Sequence, residues 1–210
     1  MGIPLIVFYD YICPFCFVGI QTINKLVKQY DIDVVWKGYE LHPETPLEGI
    51  EYSNAEREAR KVIWSRIEEL ATMYGIIVNQ PTKRSNSKFA LAASEYALEK
   101  KGFSSFQDGL FKAYFQLNQD LGDLKTIQKI SDTSGFDIDK VMSMLEKQVY
   151  EKRVIQNRSE AFLYNYHGQR IVPTYVIAKK ITLIGVQPYS IFEEKIKEVL
   201  KCESTDRTET

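Results

Sequence analysis

Ile3-Pro4-Leu5-Ile6-Val7-Phe8-Tyr9 runs through Asp10 into Cys13-Pro14-Phe15-Cys16, and the fold is decided by how that stretch is read. The first seven residues are apolar and read as a buried strand. Beyond the cysteines, residues 18–30 place Ile20, Ile23, Leu26, Val27 and Tyr30 at helical spacing on one face. Pro14 falls in the first helical turn, where its missing N–H has no partner to lose. The two cysteines therefore stand at a strand-to-helix turn, over a helix N-terminus whose free N–H groups favour a thiolate. At that spacing they form a dithiol able to close into a disulfide. A C-x-x-C alone also fits a zinc half-site or an inert pair; in a β-α context it reads as a redox motif.

The 210-residue chain is 44% hydrophobic and 26% charged with net charge −1, a balance typical of globular domains. It has no basic footprint, so neither nucleic acid nor an anionic membrane is expected as a partner. The N-terminal apolar run lacks a basic leader and stops at Asp10, short of a signal core or a membrane span. Three cysteines do not make a secreted disulfide scaffold. A cytosolic location follows as the expectation. Nothing in the sequence marks an oligomeric state.

Residues 33–41 alternate loosely through Val34, Val35, Trp36 and Tyr39 and read as a second strand, which completes β-α-β. That order puts the dithiol at the carboxyl end of the first strand, where open α/β sheets place their chemistry. Residues 53–167 change character. Ser53-Asn54-Ala55-Glu56 is a capping box opening a helix that stops near Gly75. Further helices are predicted over residues 87–101, from a second capping box at Ser104-Ser105-Phe106-Gln107, from Asp123 to about Gly135, and from Asp137 to about Tyr166. No strand is read in this block. After Gly168, residues 171–177 and 181–186 read as strands joined at Lys179-Lys180, and a last helix covers residues 188–201. The expected division is a sheet-bearing unit of residues 1–50 and 168–202, a helical insertion of 51–167, and a polar, frayed tail of 203–210.

A β-α-β half and a β-β-α half with helices between them resemble the thioredoxin fold, an α/β class, carrying an inserted all-helical domain. The motifs Asp10-Tyr11-Ile12-Cys13-Pro14-Phe15-Cys16, Glu40-Leu41-His42-Pro43, Leu110-Phe111-Lys112-Ala113-Tyr114-Phe115 and Val172-Pro173-Thr174, with Gly185-Val186-Gln187-Pro188, are similar to those of DsbA-like proteins. Within that family the resemblance is to the FrnE-like branch, related to 2-hydroxychromene-2-carboxylate isomerases and kappa-class glutathione transferases. It implies a disulfide oxidoreductase in which Cys13 is the exposed nucleophile and Cys16 resolves mixed disulfides. It also implies that Pro173 is cis and lies against the dithiol, and that the Val172 backbone pairs with a bound peptide or glutathione. Pro14, Phe15 and Thr174 complete the implied substrate contacts. The partners implied are protein or small-molecule thiols and disulfides, with no metal and no cofactor beyond glutathione as a co-substrate.

Read without the resemblance, Pro173 is equally an edge-strand proline in trans. The two rival functions are a glutathione-dependent isomerase or transferase, whose members carry serine where this chain has Cys13, and a non-catalytic chaperone-like module. One departure stands out. Many relatives hold a buried acid on the first strand six residues before the first cysteine, where this chain has Val7. Asp10 either takes over that proton-transfer role or is a turn residue. The two histidines, His42 and His167, match no zinc spacing. His42 is expected at the sheet edge away from the dithiol, Cys202 as a functionless thiol, and Lys83-Arg84 as solvated surface. Phe106, Phe111, Tyr114 and Phe115 read as the helical core, with one edge beside Cys13.

Overall fold

The computed structural model describes residues 2–164 and 171–206. In chain order these form β1 (Ile3–Tyr9), α1 (Pro14–Leu26), β2 (Ile32–Gly38), β3 (Ile50–Glu51), α2 (Asn54–Ala59), α3 (Lys61–Thr72), β4 (Lys83–Arg84), α4 (Lys88–Leu98), α5 (Phe103–Phe115), α6 (Leu124–Thr133), α7 (Ile138–Glu146), α8 (Glu151–Ala161), β5 (Thr174–Ile177), β6 (Ile181–Ile184) and α9 (Tyr189–Asp206). The main sheet has strand order β2-β1-β5-β6. β1 and β2 are parallel, as their connection through α1 requires, and β5 and β6 are added antiparallel. This is the β-α-β plus β-β-α arrangement expected from the sequence.

β1 is buried on both faces, and its side chains alternate between two cores. Ile3, Leu5 and Val7 join Ile23, Leu26, Phe192 and Ile196, the inner faces of α1 and α9. Ile6 and Phe8 point the other way, into a larger core built with α3, α4, α5 and α8. α1 serves both cores: Phe17 stacks on Phe111 and Phe115 of α5, with centroids 5.4 and 5.7 Å apart. The aromatic cluster of α5 thus joins the helices to the dithiol helix rather than forming a core of its own.

Several sequence expectations shift. The helix expected from residue 53 to 75 is two helices, α2 and α3, meeting at Arg60, although its Ser53–Glu56 capping box is present. The second capping box is absent: α5 begins at Phe103 after Gly102, whose φ of 108° only glycine adopts readily. One strand does occur in the helical block: β4, paired with β3 just ahead of that block, with Ile50 opposite Arg84. β5 is shorter than predicted because residues 171–173 bend ahead of it, and α9 continues to Asp206 into the expected frayed tail. The β5–β6 turn comes slightly early, with Ala178 and Lys179 both left-handed. His167, the predicted helix end at Tyr166 and the boundary at Gly168 lie outside the described residues.

Gly19 sets how closely α1 approaches β5. A Cβ there would overlap the Tyr175 hydroxyl and sit 3.4 Å from Pro173 Cγ. Gly19→Ala should therefore destabilise the protein despite the helix-propensity gain of about 1 kcal/mol, because overpacking costs about 1–3 kcal/mol. Urea unfolding of Gly19→Ala with and without Tyr175→Phe checks this; the second substitution, which removes the offending hydroxyl, should recover most of the loss.

Candidate active site at the Cys13–Cys16 dithiol

α1 starts at the end of β1. Cys13 is its N-cap, with extended backbone (φ −91°, ψ 112°), and Pro14 holds the first helical position. The Cys13 carbonyl accepts the N–H groups of Cys16 and Phe17 at 3.0 and 3.3 Å, so the helix begins directly on the first cysteine. Both cysteines are free thiols. Cys13 Sγ donates to the carbonyl of Val172 at 3.3 Å. The Val172–Pro173 peptide is cis, and Pro173 packs against α1 at Gly19.

Cys13 is not the exposed thiol implied by the resemblance. It is 5% exposed and Cys16 1%, because the Val172 loop covers one side of the dithiol and α3 rises on the other. Access is through a groove of about 600 Å³ whose lining includes Cys13, Pro14, Phe15 and Val172. Cys16 lies beneath and does not line it. Burial, then the adjoining Cys13 sulfur, push the Cys16 thiol well above its ordinary pKa. The asymmetry is clear: one sulfur faces the groove, the other is sealed behind it.

Asp10 is fully buried at the same turn. Its carboxylate accepts the N–H of Leu41 at 2.7 Å and that of Ile12 at 3.3 Å. Burial pushes the carboxyl up to about 7, against the lowering pull of the Leu41 N–H, the nearby Ser87 and the Ile12 N–H, and Glu40 adds to the rise. Its charge is felt at Cys16. The turn-residue and proton-transfer readings of Asp10 are therefore compatible: it shapes the turn and also titrates near neutrality beside the inner thiol.

Thr174 is fully buried and its hydroxyl donates to the Ile171 carbonyl at 2.8 Å, so it braces the loop and does not line the groove. His42 is not remote: it lines the groove with Cys13, its Nδ1 2.8 Å from Glu44 Oε1. The edge of the α5 aromatic cluster does not reach the groove. The wall opposite the dithiol is instead Tyr52, Arg60, Ile63, Trp64 and Ile67, closed by Arg84, which is therefore not plain solvated surface. These residues carried no motif; the amphipathic pattern of α3 was their one signal. Cys202 is exposed at the far end of α9. Among the described residues no His, Cys, Asp and Glu cluster fit for a metal ion occurs.

A family model, the DSBA-like thioredoxin domain, matches residues 4–197. The chain belongs to that family. A curated relative, the uncharacterized protein YwbO of Bacillus subtilis, is 26% identical over 204 residues, 96% of this chain and 99% of its own length. The fold is shared with a probable DsbA oxidoreductase from Streptomyces coelicolor (TM-score 0.82, 18% identity, 95% of this chain and 90% of that one). It is shared too with a 2-hydroxychromene-2-carboxylate isomerase (TM-score 0.77, 16% identity, 96% and 98%). The cytosolic disulfide reductase DsbM of Pseudomonas aeruginosa, whose structure was solved with glutathione, matches at TM-score 0.68 and 11% identity over 96% and 99%. The resemblance read in the sequence thus holds at the level of family and fold.

The buried Asp10 has a consequence for this DSBA-like domain. Its carboxyl titrates at about 7 when folded and near 3.8 when unfolded. Between those values the folded chain binds more protons, so stability falls as pH rises through that window. Asp10→Asn removes the titrating charge, although its amide nitrogen then meets one of the two N–H groups that the carboxylate accepts. The parent should therefore lose on the order of 4 kcal/mol of stability between pH 4 and pH 8 that the variant does not lose, whatever their offset at pH 4. Thermal unfolding of both proteins across that range measures it.

Proposed function

We propose that this chain is a cytosolic thiol–disulfide oxidoreductase. One observation carries the reading: a single thiol, Cys13, faces the groove while its partner thiol and a carboxyl titrating near 7 are buried behind it. The Cys13 thiolate attacks one sulfur of a substrate R–S–S–R′, forming Cys13–S–S–R and releasing R′–S⁻. The Cys16 thiol then passes its proton to Asp10 and attacks Cys13 sulfur. R–S⁻ leaves, the dithiol becomes a disulfide, and the substrate has gained two electrons. Two equivalents of a low-molecular-weight thiol such as glutathione then reduce the Cys13–Cys16 disulfide back to the dithiol and leave as their own disulfide; run in reverse from the enzyme disulfide, the same exchange oxidises a substrate dithiol.

Asp10 fits the second step because a base works best with a pKa near the operating pH, and the raised pKa of Cys16 makes help with its proton necessary. The Val172 N–H has no intramolecular acceptor among the described residues, which leaves it free for the backbone of a peptide or glutathione. Pro14 and Phe15 form the apolar lip beneath such a ligand, with Pro173 and Thr174 holding the loop behind it. That a neighbour of the same fold was solved with glutathione supports the low-molecular-weight arm. No helix among the described residues is long and apolar enough to cross a membrane.

Cys16→Ala should accumulate a mixed disulfide on Cys13, visible by intact mass, whereas Cys13→Ser should show none and lose insulin reduction. Asp10→Asn should slow the resolving step about a hundredfold or more while leaving the first attack much less affected. Rapid-quench separation of the two steps reads this directly. Glutathione-conjugating activity that survives in Cys16→Ala without any disulfide exchange would favour the isomerase or transferase chemistry instead.

A further inference from the structure

We infer that the groove selects small disulfides that carry a carboxylate, held by Arg60 and Arg84; this rests on the exchange reading of Cys13 above. The residues concerned lie across the groove from the dithiol. Arg60 sits at the junction of α2 and α3, its guanidinium 4.4 Å from the Tyr52 ring centroid. Arg84 lies on β4, and its Nε–H is buried with no hydrogen-bond acceptor. Trp64, 3% exposed, also lines the groove, and its indole N–H is likewise buried without an acceptor.

Among the described residues neither guanidinium has a carboxylate within salt-bridge distance, whereas Lys83, beside Arg84 in sequence, is bound to Asp120 at 2.8 Å. One carboxylate, Glu56, shares the groove, but the Ser53 N–H and hydroxyl both donate to its Oε2 at 2.8 and 2.7 Å. Glu56 keeps its charge and acts on both guanidinium groups, and Glu44 acts on Arg84, but neither carboxylate pairs with either arginine by contact. Guanidinium groups that line a groove without a paired carboxylate favour a ligand that supplies acceptors, and a carboxylate suits their fork best.

The rest of the lining sets the substrate's remaining features. Ile63, Ile67 and Trp64 make the wall apolar, and about 600 Å³ suits a small molecule. The substrate is therefore a disulfide of a low-molecular-weight thiol with a short aliphatic arm ending in a carboxylate. The chain's net charge of −1 repels anions at long range, so any preference for them must arise locally.

The test uses three probes: dithiodibutyrate (anionic), hydroxyethyl disulfide (neutral) and cystamine (cationic). Formation of the Cys13 mixed disulfide is followed by mass in Cys16→Ala. Each rate is divided by that of the same probe with free dithiothreitol, which removes leaving-group chemistry. At low salt the anionic probe should exceed the cationic one by about tenfold or more. That ratio should collapse towards one in high salt, and in Cys16→Ala carrying Arg60→Gln and Arg84→Gln. A ratio near one at low salt, or one that survives high salt or the arginine replacements, overturns the inference while the exchange function stands. Failure of all three probes to form any mixed disulfide overturns the exchange reading and this inference with it. The salt series needs no arginine variant, so it decides the matter even where those replacements disturb folding.

Discussion

The site depends on one buried carboxylate acting as a clip. Asp10 follows the last residue of β1 and accepts N–H groups from Ile12, ahead of α1, and from Leu41, beyond β2. Two parallel strands and the helix between them are thereby tied at a single point, and that point is where the dithiol begins. The clip uses both carboxylate oxygens, which an amide with its single acceptor could not match. The carboxylate adds an ionisable group held near neutrality, against the cost of desolvating its charge.

The thiols are set by the same geometry. Because α1 begins on Cys13, its carbonyl starts the helix and its sulfur faces the groove, while Cys16, three residues on, turns inward. Phe17 follows immediately and stacks on Phe111 and Phe115, so the dithiol helix is packed from behind by α5 and cannot tilt without breaking that stack. Gly19 then brings α1 close enough to Pro173 and Tyr175 for the Val172 carbonyl to reach Cys13. The groove thus gets one wall from the loop before β5 and the other from α3.

What was legible in the sequence was local and periodic. The β1 run, the α1 face, the capping residues Ser53, Asp123 and Asp137 and the order of strands all follow from spacing and cap chemistry. Asp10 was legible as the nearest carboxylate, though not as a group sealed beside Cys16. The far wall was not legible. Arg60, Trp64 and Arg84 meet Cys13 only through tertiary packing, and a two-residue pair such as β3–β4 leaves too little pattern to read. The exposure expected for Cys13 failed for the same reason: a helix N-terminus is open in isolation, and here two distant segments close over it. Gly102 displaced a plausible Ser104 cap because its left-handed backbone starts α5 earlier.

Burial of both thiols bears on how exchange is controlled. A thiol open to solvent would react with any disulfide at a rate set by its ionisation alone. Cys13 can be approached only along the groove, so a substrate must first leave water and pass an apolar wall set with guanidinium groups. In the exchange proposed above, selection then precedes chemistry, by fit and charge, and the sealed position of Cys16 keeps the second sulfur from initiating exchange itself. The same sealing raises the pKa of Cys16 and makes a neighbouring proton acceptor useful. On that proposal the clip that fixes the turn is also the proton acceptor, so proton transfer and architecture share a single side chain.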